Sequence, residues 1–203
     1  MDLGRLHGGR AIAPVGGGEH GRGEGVALVS VGHGARSIGA FLDLLREGGV
    51  ELVVDVRTSP GSRRHPHFGQ DALAGALAAR GIGYRWEPDL GGFRTPDPRS
   101  PHTALRHDSF RGYADHMGTE AFRAALARVI GSAARDRTAV MCSESVWWRC
   151  HRRLIADALV TRGCRVQHLL DGPRLDEHRL TPEARVERRD LVYDRDPGQQ
   201  RLV

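Results

Sequence analysis

The 203-residue chain contains no lysine, so all 30 of its basic residues are arginine. Against 25 acidic residues this leaves a formal net charge of +5, which falls short of the dense basic stripe of a dedicated DNA-binding module. Arginine is nonetheless the side chain best shaped for bidentate contacts with phosphate or carboxylate. The composition therefore permits an anionic ligand, and the positions of the arginines matter more than their number.

Cysteine and long apolar runs are also scarce. The three cysteines, Cys142, Cys150 and Cys164, are too few for a disulfide scaffold, and their odd number fits reduced thiols. No stretch approaches the roughly 20 consecutive apolar residues of a membrane helix, and the N-terminus lacks the apolar segment of a signal peptide. From these absences we expect no membrane partner and, by default, a cytoplasmic location.

The length predicts one domain, and 39% apolar with 27% charged residues excludes a wholly disordered chain. Residues 1–25 hold nine glycines and little apolar periodicity, which predicts a mobile leader. Residues 26–170 are expected to form the α/β domain. Residues 171–203 are charged, and the segments 185–187 and 191–193 predict a small hairpin in this extension.

Short apolar runs and helical periodicities alternate along the domain. Strands are predicted over 26–31, 51–56, 82–86, 138–142 and 164–170. Helices are predicted to begin near Ser37, Asp71, Thr119 and Trp148, and a proline-bearing irregular passage over 87–109. The alternation predicts an α/β three-layer domain, in which a mostly parallel sheet of about five strands carries helices on both faces.

Polar and reactive residues follow three of the predicted strands. His33 follows the first, Asp55 and Arg57 end the second, and Cys142 and Glu144 end the fourth. Ligands of open parallel sheets bind outside the carboxyl ends of the strands, where loops and helix N-termini converge. We therefore expect these residues to meet at one edge of the sheet.

The segment 141–153 combines a strand end, a short loop and a helix start. A helix N-terminus binds anions and lowers the pKa of a nearby thiol, which makes Cys142 the expected thiolate, acting as nucleophile or ligand. Arg149 and Arg152, together with Arg57, are expected to hold an anionic substrate.

The cysteines have three further interpretations. In the first, they are simply small buried residues. In the second, they ligate zinc or iron, and the candidate ligands are Cys142, Cys150 and His151, with His33 as an additional candidate. The spacing Cys-x7-Cys-His is not a standard zinc spacing. A disulfide between Cys142 and Cys150 is the third, and it requires a Cα separation below roughly 7 Å.

The acid/base candidates also have alternatives. His33 is a base oriented by Asp55, or part of a Gly-His-Gly turn that needs a flexible backbone. Asp55 instead holds Arg57 for an anion. Glu144 is a general acid or base, or it forms a salt bridge with Arg152 or Arg57.

Aromatic residues beside arginines suggest stacking on a nucleobase. Tyr113, in the run Phe110–Tyr113, and Trp148 are candidates for substrate contact, and packing against the core is the alternative for each of them and for Trp147. A basic loop that can contact phosphates comprises Arg63, Arg64, His65 and His67.

Taken together, the segments VSVGHGARS, LVVDVRTSPGSRRHPHF, LGGFR, FRGYADHM and CSESVWWRCHRRLIADAL resemble the domain-of-unknown-function 488 family. The resemblance runs from about Val26 to Leu170, and HRLTPEARV is similar to the family's C-termini. It implies a compact α/β domain and no known reaction. The family positions that this chain matches are His33, Asp55, Arg57, Cys142, Glu144, Cys150, His151 and Arg152.

The leading hypothesis is an enzyme-like α/β domain that binds an anionic nucleotide or nucleic-acid-derived substrate at a strand-end cleft. Cys142, Glu144, His33 and Asp55 are its catalytic candidates. A non-catalytic nucleic-acid or nucleotide-binding module is the first alternative, and a thiol redox or metal-binding protein is the second. The residues select no cofactor and no oligomeric state, and the partner they indicate is an anionic small molecule or a nucleic acid.

Overall fold

Six strands form the central sheet of the computed structural model, which describes residues 25–61, 65–170, 175–188 and 190–195. Their order is β3-β2-β4-β1-β5-β6, and all neighbours are parallel except β6, which runs antiparallel to β5. Apart from Gly25, the leader predicted over residues 1–25 lies outside the described residues. The strands are β1 Ala27–Gly32, β2 Leu52–Asp55, β3 Gly83–Trp86, β4 Thr138–Cys142, β5 Arg165–Leu169 and β6 Leu175–Glu177.

Five helices cover both faces of this sheet, which confirms the predicted α/β three-layer class. Helices α1 and α2 pack on one face and α3, α4 and α5 on the other. In the described part of the chain no helix has the length and apolar character needed to cross a bilayer. The helices are α1 Ile38–Glu47, α2 Gln70–Ala78, α3 Asp108–Met117, α4 Glu120–Ala133 and α5 Arg152–Val160.

Alternation along the strands explains the two apolar layers. In β2, Val53 faces the layer of α1 and α2, whereas Val54 faces that of α3 to α5. In β4, Met141 faces the layer of α1 and α2, and Val140 faces that of α3 to α5. Because both faces are covered, these strands are continuous apolar runs, and that is why the sequence pattern located them well.

Local capping sets the helix starts that the sequence predicted. The Ser37 hydroxyl accepts a hydrogen bond from the Ala40 N–H at 3.2 Å, and the Thr119 hydroxyl accepts one from Phe122 at 3.3 Å. Gly49 and Gly163 adopt φ values of 65° and 85° after α1 and α5. Only glycine takes such angles without strain, so both positions end their helices cleanly.

Three elements differ from the prediction. Helix α3 occupies a segment for which no helix was predicted, because Gly112 weakens the helical pattern; a Cβ there would lie 2.6 Å from the Arg94 carbonyl oxygen. Helix α5 begins at Arg152 and not at Trp148, since Trp147–Arg149 form a separate 3₁₀ turn. Strand β6 adds an antiparallel edge that the sequence did not indicate.

The C-terminal segment folds back onto α5. Strands β7 Ala184–Glu187 and β8 Asp190–Tyr193 form an antiparallel hairpin. The fully buried Asp157 of α5 accepts hydrogen bonds from His178 Nε2, Thr181 N and Thr181 Oγ1, each at 2.9 Å, and from the Tyr193 hydroxyl at 3.0 Å. One carboxylate therefore anchors three separate positions of the tail.

We expect Asp157→Ala to lower the free energy of unfolding by about 3 to 5 kcal/mol, since it removes the only carboxylate these buried donors contact among the described residues. Tyr193→Phe, which removes one of the hydrogen bonds, should lower it by about 1 kcal/mol. Urea unfolding measures both. Asp43→Ala, at a half-exposed carboxylate, is the control and should change it by less than about 0.5 kcal/mol; a similarly small effect of Asp157→Ala would contradict the anchoring role.

A second imidazole extends the network. His178 donates from Nε2 to Asp157, and its Nδ1 shares a hydrogen bond with His168 Nε2, 2.9 Å away. The His168 ring stacks on Trp147 with a centroid distance of 3.9 Å. Burial, followed by the nearby His178 and Arg152, lowers the pKa of His168 to about 3. His168 is therefore neutral at physiological pH.

This lowered pKa predicts a pH dependence of stability. Below about pH 6.5 His168 is protonated in the unfolded chain, whereas in the folded chain it stays neutral down to about pH 3. The free energy of unfolding therefore decreases as the pH is lowered through this window. The slope is about 1.4 kcal/mol per pH unit for one proton. Urea unfolding between about pH 6.5 and pH 4 should show a slope for His168→Gln that is smaller than that of the wild type by about 1.4 kcal/mol per pH unit, whereas the control His107→Gln, at an exposed position, should keep the wild-type slope. Equal slopes in His168→Gln and the wild type would refute the assignment.

Candidate functional site

Strands β2, β4 and β1 lie side by side, and their carboxyl ends form the floor of a cleft of about 1400 Å³. Asp55 lies opposite Met141, and Gly32 lies opposite Cys142. The structure thus brings most of the sequence-predicted site residues to one edge. Those that line the cleft are His33, Arg57, Cys142, Glu144, Trp148, Arg149, Cys150 and His151.

Tyr113 does not line the cleft, so its predicted contact with substrate is wrong. It is fully buried in the layer of α3 to α5, and its hydroxyl donates to the Leu90 carbonyl at 2.9 Å. Its ring centroid lies 5.1 Å from that of His151. Tyr113 therefore supports the His151 ring from within the core.

Asp55 and Arg57 form a buried pair. Arg57 donates from Nε to both carboxylate oxygens of Asp55, at 2.9 and 3.1 Å, and from Nη1 to the Phe68 carbonyl at 2.8 Å. The Tyr84 hydroxyl adds a hydrogen bond to Asp55 at 2.8 Å. Of the two alternatives for Asp55, the structure shows that it holds Arg57 and is not bonded to His33. Most of the Arg57 guanidinium is thereby engaged.

Breaking this pair leaves an uncompensated buried charge, so we expect Asp55→Ala and Arg57→Ala each to lower the free energy of unfolding by about 3 to 5 kcal/mol. Urea unfolding is the measurement, with Asp43→Ala again as the control. If Arg57→Ala instead keeps the wild-type stability and weakens anion binding, Arg57 is an anion-binding residue, as the sequence predicted.

His33 presents an unusual acceptor to the cleft. Its side chain is 3% exposed, stacks on Phe68 at 4.0 Å and hydrogen-bonds through Nδ1 to the Gly34 carbonyl at 2.8 Å. A carbonyl only accepts, so Nδ1 carries the proton and Nε2 offers a lone pair that has no partner among the described residues. The pKa of His33 is lowered to about 4, and burial of the ring is the largest cause of this shift. Position 32, next to His33, must be glycine, because a Cβ there would lie 1.9 Å from the Glu144 carbonyl oxygen.

Cys142, Cys150 and His151 form what we term the thiol–imidazole cluster. Their sulfur and nitrogen atoms all lie within 4.8 Å of one another, and Cys150 Sγ is 3.6 Å from His151 Nδ1. Both cysteines are almost fully buried and are free thiols, so the disulfide interpretation does not describe this structure. Two thiols and an imidazole nitrogen can hold a soft or borderline metal ion, or act as a nucleophile with its base.

The two thiols of the cluster have opposite electrostatic environments. A hydrogen bond from Cys142, followed by the charge and N–H groups of Arg152, lowers the pKa of Cys150 to about 6 in spite of its burial. The same hydrogen bond, followed by burial, raises the pKa of Cys142 to about 12. These directions favour Cys150 over Cys142 as the more acidic thiol of the pair, and the nucleophile or ligand role of Cys142 stays a prediction. Helix α5 begins at Arg152, so its N-terminus acts on the adjacent Cys150.

Arg152 is an internal residue and not a substrate contact. It is 1% exposed, and its guanidinium donates to the Ser30 hydroxyl at 3.1 Å and to the Glu144 backbone carbonyl. The exposed Glu144 carboxylate accepts from the Val146 N–H at 3.0 Å and forms no described salt bridge with Arg152 or Arg57. The salt-bridge alternative for Glu144 is thus not present among the described residues, and its carboxylate lines the cleft.

Several cleft residues were not recognised in the sequence. Arg153 is one of these, and it lies 5.4 Å from the Phe110 ring centroid. Of the two tryptophans that the sequence analysis named, Trp147 stacks on His168, whereas Trp148 is 52% exposed in the cleft. Arg63 and Arg64 of the predicted basic loop lie outside the described residues. Other unrecognised residues come from the irregular passage and the tail, whose positions no local pattern predicts; they include Phe93, Arg106, His107, Glu183, Asp194 and Arg195.

Fold and site together define an α/β domain with a thiol–imidazole cluster and arginines at the carboxyl edge of a mostly parallel sheet. A family model described as Domain of unknown function DUF488 matches residues 37–159, and the chain belongs to this family. The matched segment includes the whole cluster and begins after His33. No curated protein and no solved structure matches the chain.

Proposed function

We propose that this protein is an enzyme that binds an anionic, nucleotide-type substrate in the cleft and presents it to the thiol–imidazole cluster. One observation carries the proposal: exposed guanidiniums and an exposed indole ring line the same cavity as the cluster. Arg106, Arg149 and Trp148 supply these groups.

The guanidiniums supply the recognition of charge. Arg106 and Arg149 are exposed, and neither forms an ion pair with a carboxylate of the described residues. Their N–H groups remain available for an anion. A planar guanidinium donates two parallel hydrogen bonds to a phosphate, and these charge-assisted bonds are stronger than neutral ones. Arg153 is less available, because Glu183 lies 4.0 Å from it.

The aromatic rings supply the recognition of a base. Phe93 is 83% exposed and Trp148 is 52% exposed, and both line the cleft. Stacking of a nucleobase on such a ring contributes about 1 to 3 kcal/mol, because it removes two apolar faces from water. A ligand with both a phosphate and a base satisfies the two kinds of group at once.

The floor of the cleft favours an enzyme over a simple binding module. Three side chains converge there within 4.8 Å, and His33 offers a buried acceptor with no described partner. Burying polar groups without partners is unfavourable, and binding alone does not require it. A non-catalytic nucleotide-binding or nucleic-acid-binding module remains the competing hypothesis, and it predicts that the floor residues are dispensable for function.

Calorimetric titration with mononucleotides tests the proposal. We expect Arg149→Ala and Trp148→Ala each to weaken binding by about ten- to a hundredfold, the equivalent of about 1.5 to 3 kcal/mol for a charge-assisted contact or a stacked base. The control is Arg46→Ala, which removes an exposed arginine of α1, outside the cleft, and should leave the affinity unchanged.

The ligand panel separates the two recognition elements. A nucleoside lacks the phosphate and a sugar phosphate lacks the base, so each should bind more weakly than the nucleotide. Equal affinity for sugar phosphate and nucleotide would remove the stacking role of Trp148. Binding of an oligonucleotide with steep salt dependence, without binding of mononucleotides, would favour the non-catalytic nucleic-acid module.

A further inference from the structure

We propose that the thiol–imidazole cluster is a zinc site, in which Cys142 Sγ, Cys150 Sγ and His151 Nδ1 are the ligands and a fourth coordination position opens onto the cleft. The inference goes beyond the proposed function, because no step of it uses the nucleotide-type substrate.

One of the donor spacings matches tetrahedral coordination, and the other two lie close to it. With Zn–S near 2.3 Å and Zn–N near 2.0 to 2.1 Å, two ligands of a tetrahedral site stand about 3.6 Å apart for sulfur and nitrogen, and about 3.8 Å apart for two sulfurs. Cys150 Sγ and His151 Nδ1 are 3.6 Å apart, and all three donor atoms lie within 4.8 Å of one another. Only small side-chain adjustments are needed to close this set around one ion.

The His151 ring is held in the orientation that a ligand needs. Its Nε2 lies 3.1 Å from the Val56 carbonyl oxygen, which only accepts, so Nε2 carries the proton and Nδ1 keeps its lone pair. Metal-ligating histidines commonly donate their other N–H to a backbone carbonyl in this way. Gly92 keeps the neighbouring space open, since a Cβ there would lie 2.5 Å from Nδ1.

The donor set selects the metal class. Two thiolates with one imidazole form a soft to borderline set that suits zinc, and oxygen-preferring ions such as Mg²⁺ and Ca²⁺ are disfavoured. Structural zinc sites have four protein ligands, whereas sites with three protein ligands keep one position for water or substrate. All three residues line the cleft floor, so the remaining position faces the cavity.

This arrangement gives the site a chemical capacity of its own. A zinc ion with an open position acts as a Lewis acid toward a bound oxygen, from water or from a ligand in the cleft. The cluster joins the end of β4 to the residues that begin α5, so metal binding would also join these two elements.

The test is metal analysis of the full-length protein, purified with a reductant, followed by removal of metal and titration with Co²⁺ or Zn²⁺ alone. We expect about one zinc per chain, and a thiolate-to-cobalt charge-transfer absorption that saturates at one equivalent. In Cys142→Ser and Cys150→Ser this absorption should fall to about half, because one of two thiolates remains, and affinity should drop by at least about a hundredfold.

Two further variants keep the result specific. His151→Ala should weaken binding while retaining the two-thiolate absorption. Cys164→Ser is the matched control, because Cys164 is buried and free but lies outside the cluster. It should bind metal as the wild type does. Circular dichroism verifies that each variant is folded.

Three outcomes would overturn the inference: no metal uptake by the reduced wild type, an unchanged cobalt spectrum in Cys142→Ser and Cys150→Ser, or equal loss in Cys164→Ser. These outcomes are independent of the nucleotide titration. A zinc-binding protein without nucleotide affinity would refute only the proposed function, and a nucleotide-binding protein without metal would refute only this inference.

Discussion

The buried guanidinium of Arg152 is the interaction on which the geometry of the site depends. It reaches from the start of α5 to the Ser30 hydroxyl in β1 and to the Glu144 carbonyl in the loop after β4. That contact is possible because residue 32 is glycine; a Cβ there would lie 2.8 Å from the Arg152 Nη2 atom. A charge in the interior must be paired or hydrogen-bonded, so this arrangement holds strand, loop and helix in one conformation. The same charge lowers the pKa of Cys150.

The C-terminal tail is part of the same design. Buried hydrogen bonds to Asp157 hold the tail against α5. Glu183, Asp194 and Arg195 of the tail line the wall of the cleft. A segment that is charge-rich in sequence is therefore anchored by buried polar contacts as well as by apolar ones. At this wall Glu183 lies 4.0 Å from Arg153, and Asp194 forms an ion pair with Arg185.

Three chemically different groups share the cleft floor. His33 is a neutral acceptor, the thiol–imidazole cluster offers soft donors, and the exposed arginines offer donors for an anion. Asp55, a catalytic candidate from the sequence, and Arg57, which was expected to hold an anion, neutralise each other inside the protein. The family's description names no function. Because the groups that stabilise the fold differ from those that are available to a ligand, substitutions can test the two sets separately.

By itself the sequence determined the three-layer class, five of the six strands of the sheet and the convergence of His33, Arg57, Cys142 and Glu144 at one sheet edge. Those features follow from local apolar runs and from the rule that parallel strands end together. It did not indicate that Cys150 has the lower pKa of the two thiols, because that pKa depends on the hydrogen bond with Cys142 and on the neighbouring Arg152. Nor did it distinguish the interior Tyr113 and Arg152 from the exposed Trp148 and Arg149. Burial and hydrogen-bond partners arise from contacts between residues far apart in the chain, and only the tertiary structure decides them.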